Sequence, residues 1–364
     1  MRNLIVGIVV GLVVGVVVGT TLIAPRLKLP AGKSEWVRAA EQAAPEISRP
    51  LTPARVGVTA ELEAGNARRL RWRMASAYAS TLPQLGELGV RLETTLWHVS
   101  GGAMVLKLHE PSTLVAADEM FEAVRSGAID AAFAAPALWG EKNSAFRLFS
   151  AIPFGPPIQE YLAWIFDGGG REMLREIAHK QGVHMLICGA LAPEGSGWFR
   201  KPVKSMEDFK ALRLGMNDLG GRVAAKLGAR VTEMPIGDVF VALEHNLIDG
   251  AEASQPAVDL KLGLHQLAKY YYFPGWHQPA TLLNLTINLE AWRALAKERR
   301  VQIEAACGDN VTHGLAVGEA RQFSALKELI KQGVSIETWA PDILTALKAA
   351  WGRVVAEESR NTKL

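Results

Sequence analysis

Two hydrophobic periods alternate along most of this chain, and that alternation limits its fold more than any other feature. Residues 71–77 alternate with the two-residue period of a strand, 82–93 have helical spacing, and 103–109 alternate again. The pattern continues with a helix over 116–126, a strand over 129–135, a short extended piece over 151–154, helices within 159–181 and a strand over 183–188. A second series follows: strand 211–216, helix 219–227 opened by Gly220 and Gly221, strand 230–234, helix 237–245 and strand 247–253. Residues 281–289 read as a strand, a long helix is expected between 297 and 332, and a short strand (334–338) and a helix (341–357) finish the series. Strands alternating with helices imply an α/β fold with parallel or mixed sheets covered on both faces. A chain of 364 residues is long enough for about two such domains.

Composition excludes several classes. The formal charge is +3 with no dominant Lys/Arg run, which argues against a nucleic-acid partner. Cys188 and Cys307 are too few for a disulfide scaffold and lack metal-ligand spacing. They read as small buried apolar residues, and a bridge between them would need them adjacent in space. No dinucleotide, P-loop, HExxH, GxSxG or CxxC pattern occurs, and no nucleophile–His–acid set can be assembled, so an enzyme is not expected.

Residues 4–24 form an uninterrupted run of apolar and small residues, with only Thr20 and Thr21 mildly polar. As a helix, about 21 residues at ~1.5 Å each span ~31 Å, close to a hydrocarbon core of ~30 Å. A secretory signal peptide has a shorter apolar core, roughly 7–15 residues, ending at a small-residue cleavage site. Here Leu22 and Ile23 precede Ala24, and Pro25 follows it, so an uncleaved anchor is expected over residues 1–25. Arg2 on one side and Arg26, Lys28 and Lys33 on the other leave its orientation open. Gly7, Gly11, Gly15 and Gly19 recur every fourth residue and would let another helix approach. Residues 26–69, rich in Ala, Pro and charge, read as a tether.

The run GWFRKPVKSMEDFKALRLGMNDLGGRVAAKLGARVTEMPIGDVFVALEHNLIDGAE, followed after a gap by KYYYFPGWHQP, resembles the second lobe of solute-binding proteins of the tripartite ATP-independent periplasmic (TRAP) transporter family. The resemblance covers about residues 71–357 and points to the branch that binds 2-oxo acids and other monocarboxylates. It implies a two-lobe periplasmic solute-binding fold with a hinge and one long helix bridging the lobes. Lobe one would take 70–191 and 281–320, lobe two 192–280, and 321–364 would end the bridging helix and pack a final helix on lobe two. It also implies a membrane permease as partner, a location outside the inner membrane, and a sodium or calcium ion bound with the ligand.

The chain departs from that branch where the ligand would sit. The branch places an arginine two residues past a Leu-Lys pair and five before the GG pair, where a guanidinium can pair with a carboxylate; here the position is Gly215. Arg213 lies deeper in the strand, and Arg222, a turn into the next helix, reads as solvated. The branch's glutamine before GWF is Glu194 here. Glu252 is retained, but the tryptophan after it is Ala253. The glutamate of GWHE, which helps hold sodium, is Gln278. These changes leave one more negative charge than in the branch. In lobe one the mouth Phe133–Trp139 is apolar, and Tyr78 is the remaining polar aromatic. Tyr78, Glu194, Gly215, Glu252, Ala253, His277 and Gln278 are the expected ligand residues, and Glu194, Glu252 and Gln278 the expected ion site. Trp198, Trp276 and Tyr270–Tyr272 are expected to pack rather than touch ligand. Losing one partner of a buried charge pair costs roughly 2–5 kcal/mol, so weak binding of pyruvate-like acids is expected. A neutral or partly apolar ligand fits this lining, and next a cationic ligand or one accompanied by a metal ion. An anchored sensor or interaction module with a degenerate pocket is the competing function.

Overall fold

The structure is a computed structural model and describes residues 69–191 and 193–361. Ala67–Leu364 form one compact unit. The expected anchor and nearly all of the tether lie outside the described residues; among the described residues no helix is long and apolar enough to cross a membrane.

Two mixed sheets define two lobes. The first has five strands in the order β2-β1-β3-β10-β4, formed by β1 (Leu70–Ser76), β2 (Met104–His109), β3 (Ala131–Ala134), β4 (Val183–Leu191) and β10 (Thr281–Asn288). Strand β10 runs antiparallel between β3 and β4, while β1 pairs parallel with both β2 and β3. Every residue of β3 (Ala131-Ala-Phe-Ala134) is buried, as expected of a strand covered on both faces. The second sheet has six strands in the order β11-β9-β5-β8-β6-β7, formed by β5 (Gly197–Phe199), β6 (Arg213–Gly215), β7 (Arg230–Thr232), β8 (Gly250–Ala251), β9 (Tyr270–Phe273) and β11 (Ser335–Thr338).

The chain passes between the sheets three times: from β4 to β5, from β9 to β10, and along the 35-residue helix Lys297–Lys331. At ~1.5 Å per residue this helix is about 52 Å long. Its Ile303, Ala306 and Cys307 enter the core of lobe one, while Leu329 packs with Trp198 and Tyr271 in lobe two. The final helix, Pro341–Asn361, covers lobe two through Ile343, Leu347, Ala350 and Val354.

Several elements differ from the sequence reading. Residues 151–154 form no strand: Phe154 has φ +54°, its N–H bonds the Trp276 carbonyl at 2.7 Å, and its ring stacks on Trp276. This piece therefore makes an interlobe contact. The helix expected from 82 starts at Gly86, after a turn with Gln84 at φ +59°. Of 247–253 only Gly250–Ala251 are strand, and the chain then runs to the helix Pro256–Leu262. Arg222 is not a purely solvated side chain: it pairs with Glu358 of the final helix.

Cys188 and Cys307 are buried as expected, but they are also bonded to each other, which corrects their reading as free apolar residues. Strand β4 lies against the long helix, so the two Cα atoms are 4.1 Å apart despite 119 residues of separation. Closing so long a loop restricts the unfolded chain, and such bridges suit an oxidising compartment. Substituting both, Cys188→Ala with Cys307→Ala, is expected to lower stability by about 2–4 kcal/mol. Urea titration of the two proteins checks this; identical midpoints would show that the bridge does not stabilise.

Candidate functional site

Both strand crossings deliver polar residues to one buried spot. Glu194 lies between β4 and β5, Glu252 follows β8, and His277, Gln278 and Thr281 lie between β9 and the start of β10. Glu194, Glu252 and His277 are buried, and each offers a ligand atom within 4.8 Å of the others. Gly275 belongs to the same turn and has to be glycine, since a Cβ there would meet the Glu194 carbonyl at 2.3 Å.

The donors to each carboxyl can be named. The Gln278 amide nitrogen, turned toward Glu194, donates to its two carboxyl oxygens at 2.8 and 3.1 Å. Thr281 Oγ1 and Ser254 Oγ approach the same carboxyl at 3.3 and 3.5 Å. Glu252 accepts the backbone N–H of Asn217 at 3.3 Å and has His277 Nε2 4.0 Å away. Neither acid pairs with a lysine or arginine among the described residues. Burial, followed by the nearby Glu252 and Asp259 charges, holds the Glu194 carboxyl well above the usual range. Burial likewise lifts Glu252 to about 8 and presses His277 down to about 3, so this imidazole is neutral. Both His277 ring nitrogens are buried without a hydrogen-bond partner.

The remaining expected residues fall around this centre. Tyr78 accepts the Ala135 N–H at 3.1 Å; burial raises its pKa first, and the Glu194 and Glu252 charges add to the rise. Gly215 ends β6 facing apolar neighbours: a Cβ there would meet Ile248 Cδ1 at 3.1 Å, Ala251 Cβ at 3.3 Å and Met234 Cε at 3.5 Å. Ala253 is half-buried and packs against the core of lobe two. Arg213 does not replace the missing arginine, because its Nε and Nη2 bond Asp249 at 3.0 and 2.6 Å. Trp198 stacks on Tyr271, and Trp276 stacks on Phe154, so both are packing residues.

Sequence reasoning missed one guanidinium. Arg147, on the short helix Ala145–Leu148 of lobe one, donates from Nε to Asp218 Oδ1 of lobe two at 2.6 Å. Its Nη1 bonds the Gly140 carbonyl at 2.8 Å and its Nη2 bonds Glu141 at 2.6 Å. Burial raises Asp218 to about 6 even with Arg147 beside it. A charge therefore does enter the crevice from elsewhere in the chain, but it is already paired.

Two α/β lobes joined by crossing strands, with buried polar groups at the crossing, define an extracytoplasmic solute-binding protein. Residues 74–361 match the family described as bacterial extracellular solute-binding protein, family 7, and the chain belongs to it, as a TRAP-type member. A monocarboxylate 2-oxoacid-binding periplasmic protein of Nostoc sp. is 29% identical over 291 residues, 79% of each chain. A TRAP solute-binding protein of Bordetella bronchiseptica, solved with calcium and picolinate, is 30% identical with TM-score 0.79, over 80% of this chain and 87% of that one. One from Pseudoalteromonas atlantica, with sodium and pyruvate, is 28% identical with TM-score 0.77, over 81% and 90%. A third, from Colwellia psychrerythraea with calcium and pyruvate, is 28% identical with TM-score 0.76.

The donor set suits such an ion. Calcium and sodium take oxygen ligands, and the Glu194 and Glu252 carboxyls, which pair with no lysine or arginine among the described residues, supply them, with His277 completing the cluster. Glu194 and Gln278 are in contact at 2.8 Å, so the pair carries one carboxyl and one amide.

Raised carboxyl values carry a pH signature. With Glu252 at about 8 rather than 4.5, the folded protein holds a proton over that range which the unfolded chain has released. In chelator, stability is expected to fall as pH rises from about 4.5 toward 8. Glu252→Gln is expected to flatten part of this slope, measured by denaturant titration across pH. An unchanged slope would rule Glu252 out as its source.

Proposed function

We propose that this chain is the solute-capturing component of a TRAP-type uptake system, and that its crevice takes a small organic ligand together with a cation held by Glu194 and Glu252. The observation that carries this reading is the pair of buried carboxyls at the crossing between the lobes, with no lysine or arginine paired to either among the described residues. Calcium or sodium in the Bordetella, Pseudoalteromonas and Colwellia neighbours supports it. Bound there, the ion would supply the positive charge that Gly215 does not. His277 would line the ion site, and Gln278 would orient Glu194. A ligand would then be held through the ion and the apolar mouth rather than by a guanidinium, which favours a neutral or partly apolar chelating molecule over a bare pyruvate-like acid. The protein captures by lobe closure, does no chemistry on its ligand, and delivers it to a membrane permease. In this reading residues 4–24 anchor it at the periplasmic side of the inner membrane, with Gly7, Gly11, Gly15 and Gly19 open to helix pairing. The apolar filling beside Gly215 favours a second reading, an anchored sensor or interaction module with a degenerate pocket.

A thermal-shift screen of residues 67–364 against neutral, acidic and amine compounds, with and without calcium or sodium, separates the two. A ligand at 100 times its dissociation constant adds ~2.7 kcal/mol of stability, and this gain is expected to need the cation. Glu194→Gln is expected to weaken cation binding about tenfold or more, and adding Gln278→Glu to restore it, because the carboxylate returns to the same contact. Strong stabilisation by simple acids in chelator would sink the cation reading; no stabilisation by any compound would favour the degenerate pocket.

A further inference from the structure

Arg147 and Asp218 join the two lobes at the place where ligands bind in folds of this kind. Gly140 and Glu141, which hold the guanidinium in lobe one, follow the turn Pro136–Trp139 beyond the carboxyl end of β3. Asp218 follows the carboxyl end of β6 by three residues. Open α/β sheets bind ligands at these strand ends. The arginine is fixed in place: a Cβ on Gly140 would strike Arg147 Cζ at 2.5 Å, so glycine lets the guanidinium lie flat on the turn. The pair is little screened by solvent, with side chains 13% and 17% exposed. Asp218 also holds φ +54°, a conformation that glycine adopts freely and aspartate at some cost. Its neighbour Asn217 donates to Glu252, and Gly220, one residue further along the helix Asp218–Lys226 than Leu219, packs on His277. The pair therefore borders the ion site.

We propose that Asp218 is a built-in carboxylate that occupies Arg147, latching the lobes together without a ligand and denying the guanidinium to small acids. A free carboxylate would need to displace one that the chain itself supplies at high effective concentration. The inference builds on the reading of the crevice as a ligand site, but the latch has a readout that needs no ligand.

The test uses the full chain in detergent micelles with one spin label on each lobe, at Glu172→Cys and Glu207→Cys. Electron–electron distance measurements on the ligand-free protein are expected to give one narrow distribution. Arg147→Ala and Asp218→Asn are each expected to broaden it or shift it to longer distance, with thermal melts confirming that both variants fold. In calorimetry with pyruvate and calcium, Asp218→Gly is expected to bind at least about tenfold tighter than the parent chain, and Arg147→Ala with Asp218→Gly to lose that gain. Unchanged distances in both single variants overturn the latch, whatever the ligand proves to be. A gain in pyruvate binding that persists without Arg147, or no gain at all, overturns the role of Asp218 in excluding acids.

Discussion

A carboxyl group removed from water without a cation is costly to ionise, and the crossing between the lobes holds two that pair with no lysine or arginine among the described residues. The cost follows from topology. Glu194 lies on the segment that carries the chain from the first sheet to the second, Glu252 on the exit from β8, and His277 and Gln278 on the return. All four are buried or half-buried where those segments meet. The surrounding groups answer that constraint: Gln278, Thr281 and Ser254 turn toward Glu194, and the Asn217 N–H toward Glu252. His277, held neutral, adds no positive charge.

Much of the fold was legible because it rests on local pattern. The period-two runs that became β1, β2 and β10, and the helical run at 297–332, each carry their signal within a few turns or residues. The long helix is the clearest case, with residues 297–331 helical where 297–332 was read. Legibility failed where a segment's partner was distant. Residues 151–154 have the composition of a strand but spend their backbone on Trp276. The disulfide joins positions 119 apart, and nothing in the sequence around Cys188 points to the helix that faces it.

The site divides in the same way. Glu194, Glu252 and Gln278 could be named because each stands in a run with a recognisable resemblance, and the structure brings them together with His277. Arg147 could not. It sits in a short apolar helix, Ala145-Phe-Arg-Leu148, with no motif around it, and its partner lies 71 residues away on the other lobe. Asp218, between a strand end and a helix opened by glycines, gave no signal either; its left-handed backbone is a property of the folded chain.

An ion held as proposed, at the crossing between the lobes, would have mechanical leverage. Glu194, Glu252 and His277 come from three segments that lie at or beside the crossings between lobes, so drawing their ligand atoms toward one ion would also fix the angle between the sheets. A guanidinium at the end of β6 would act differently, since it would belong to lobe two alone and recognise a ligand without constraining the hinge. On the proposed reading, Gly215 in place of an arginine, with a carboxyl on each of two segments near the crossings, would shift the work of closure from recognition of an anion to recognition of a cation. Differential affinity for the closed form is what drives a lobe to close. On that reading the groups with most to gain from closure would be the two buried acids, because a positive charge drawn in between the lobes would relieve the cost of ionising them.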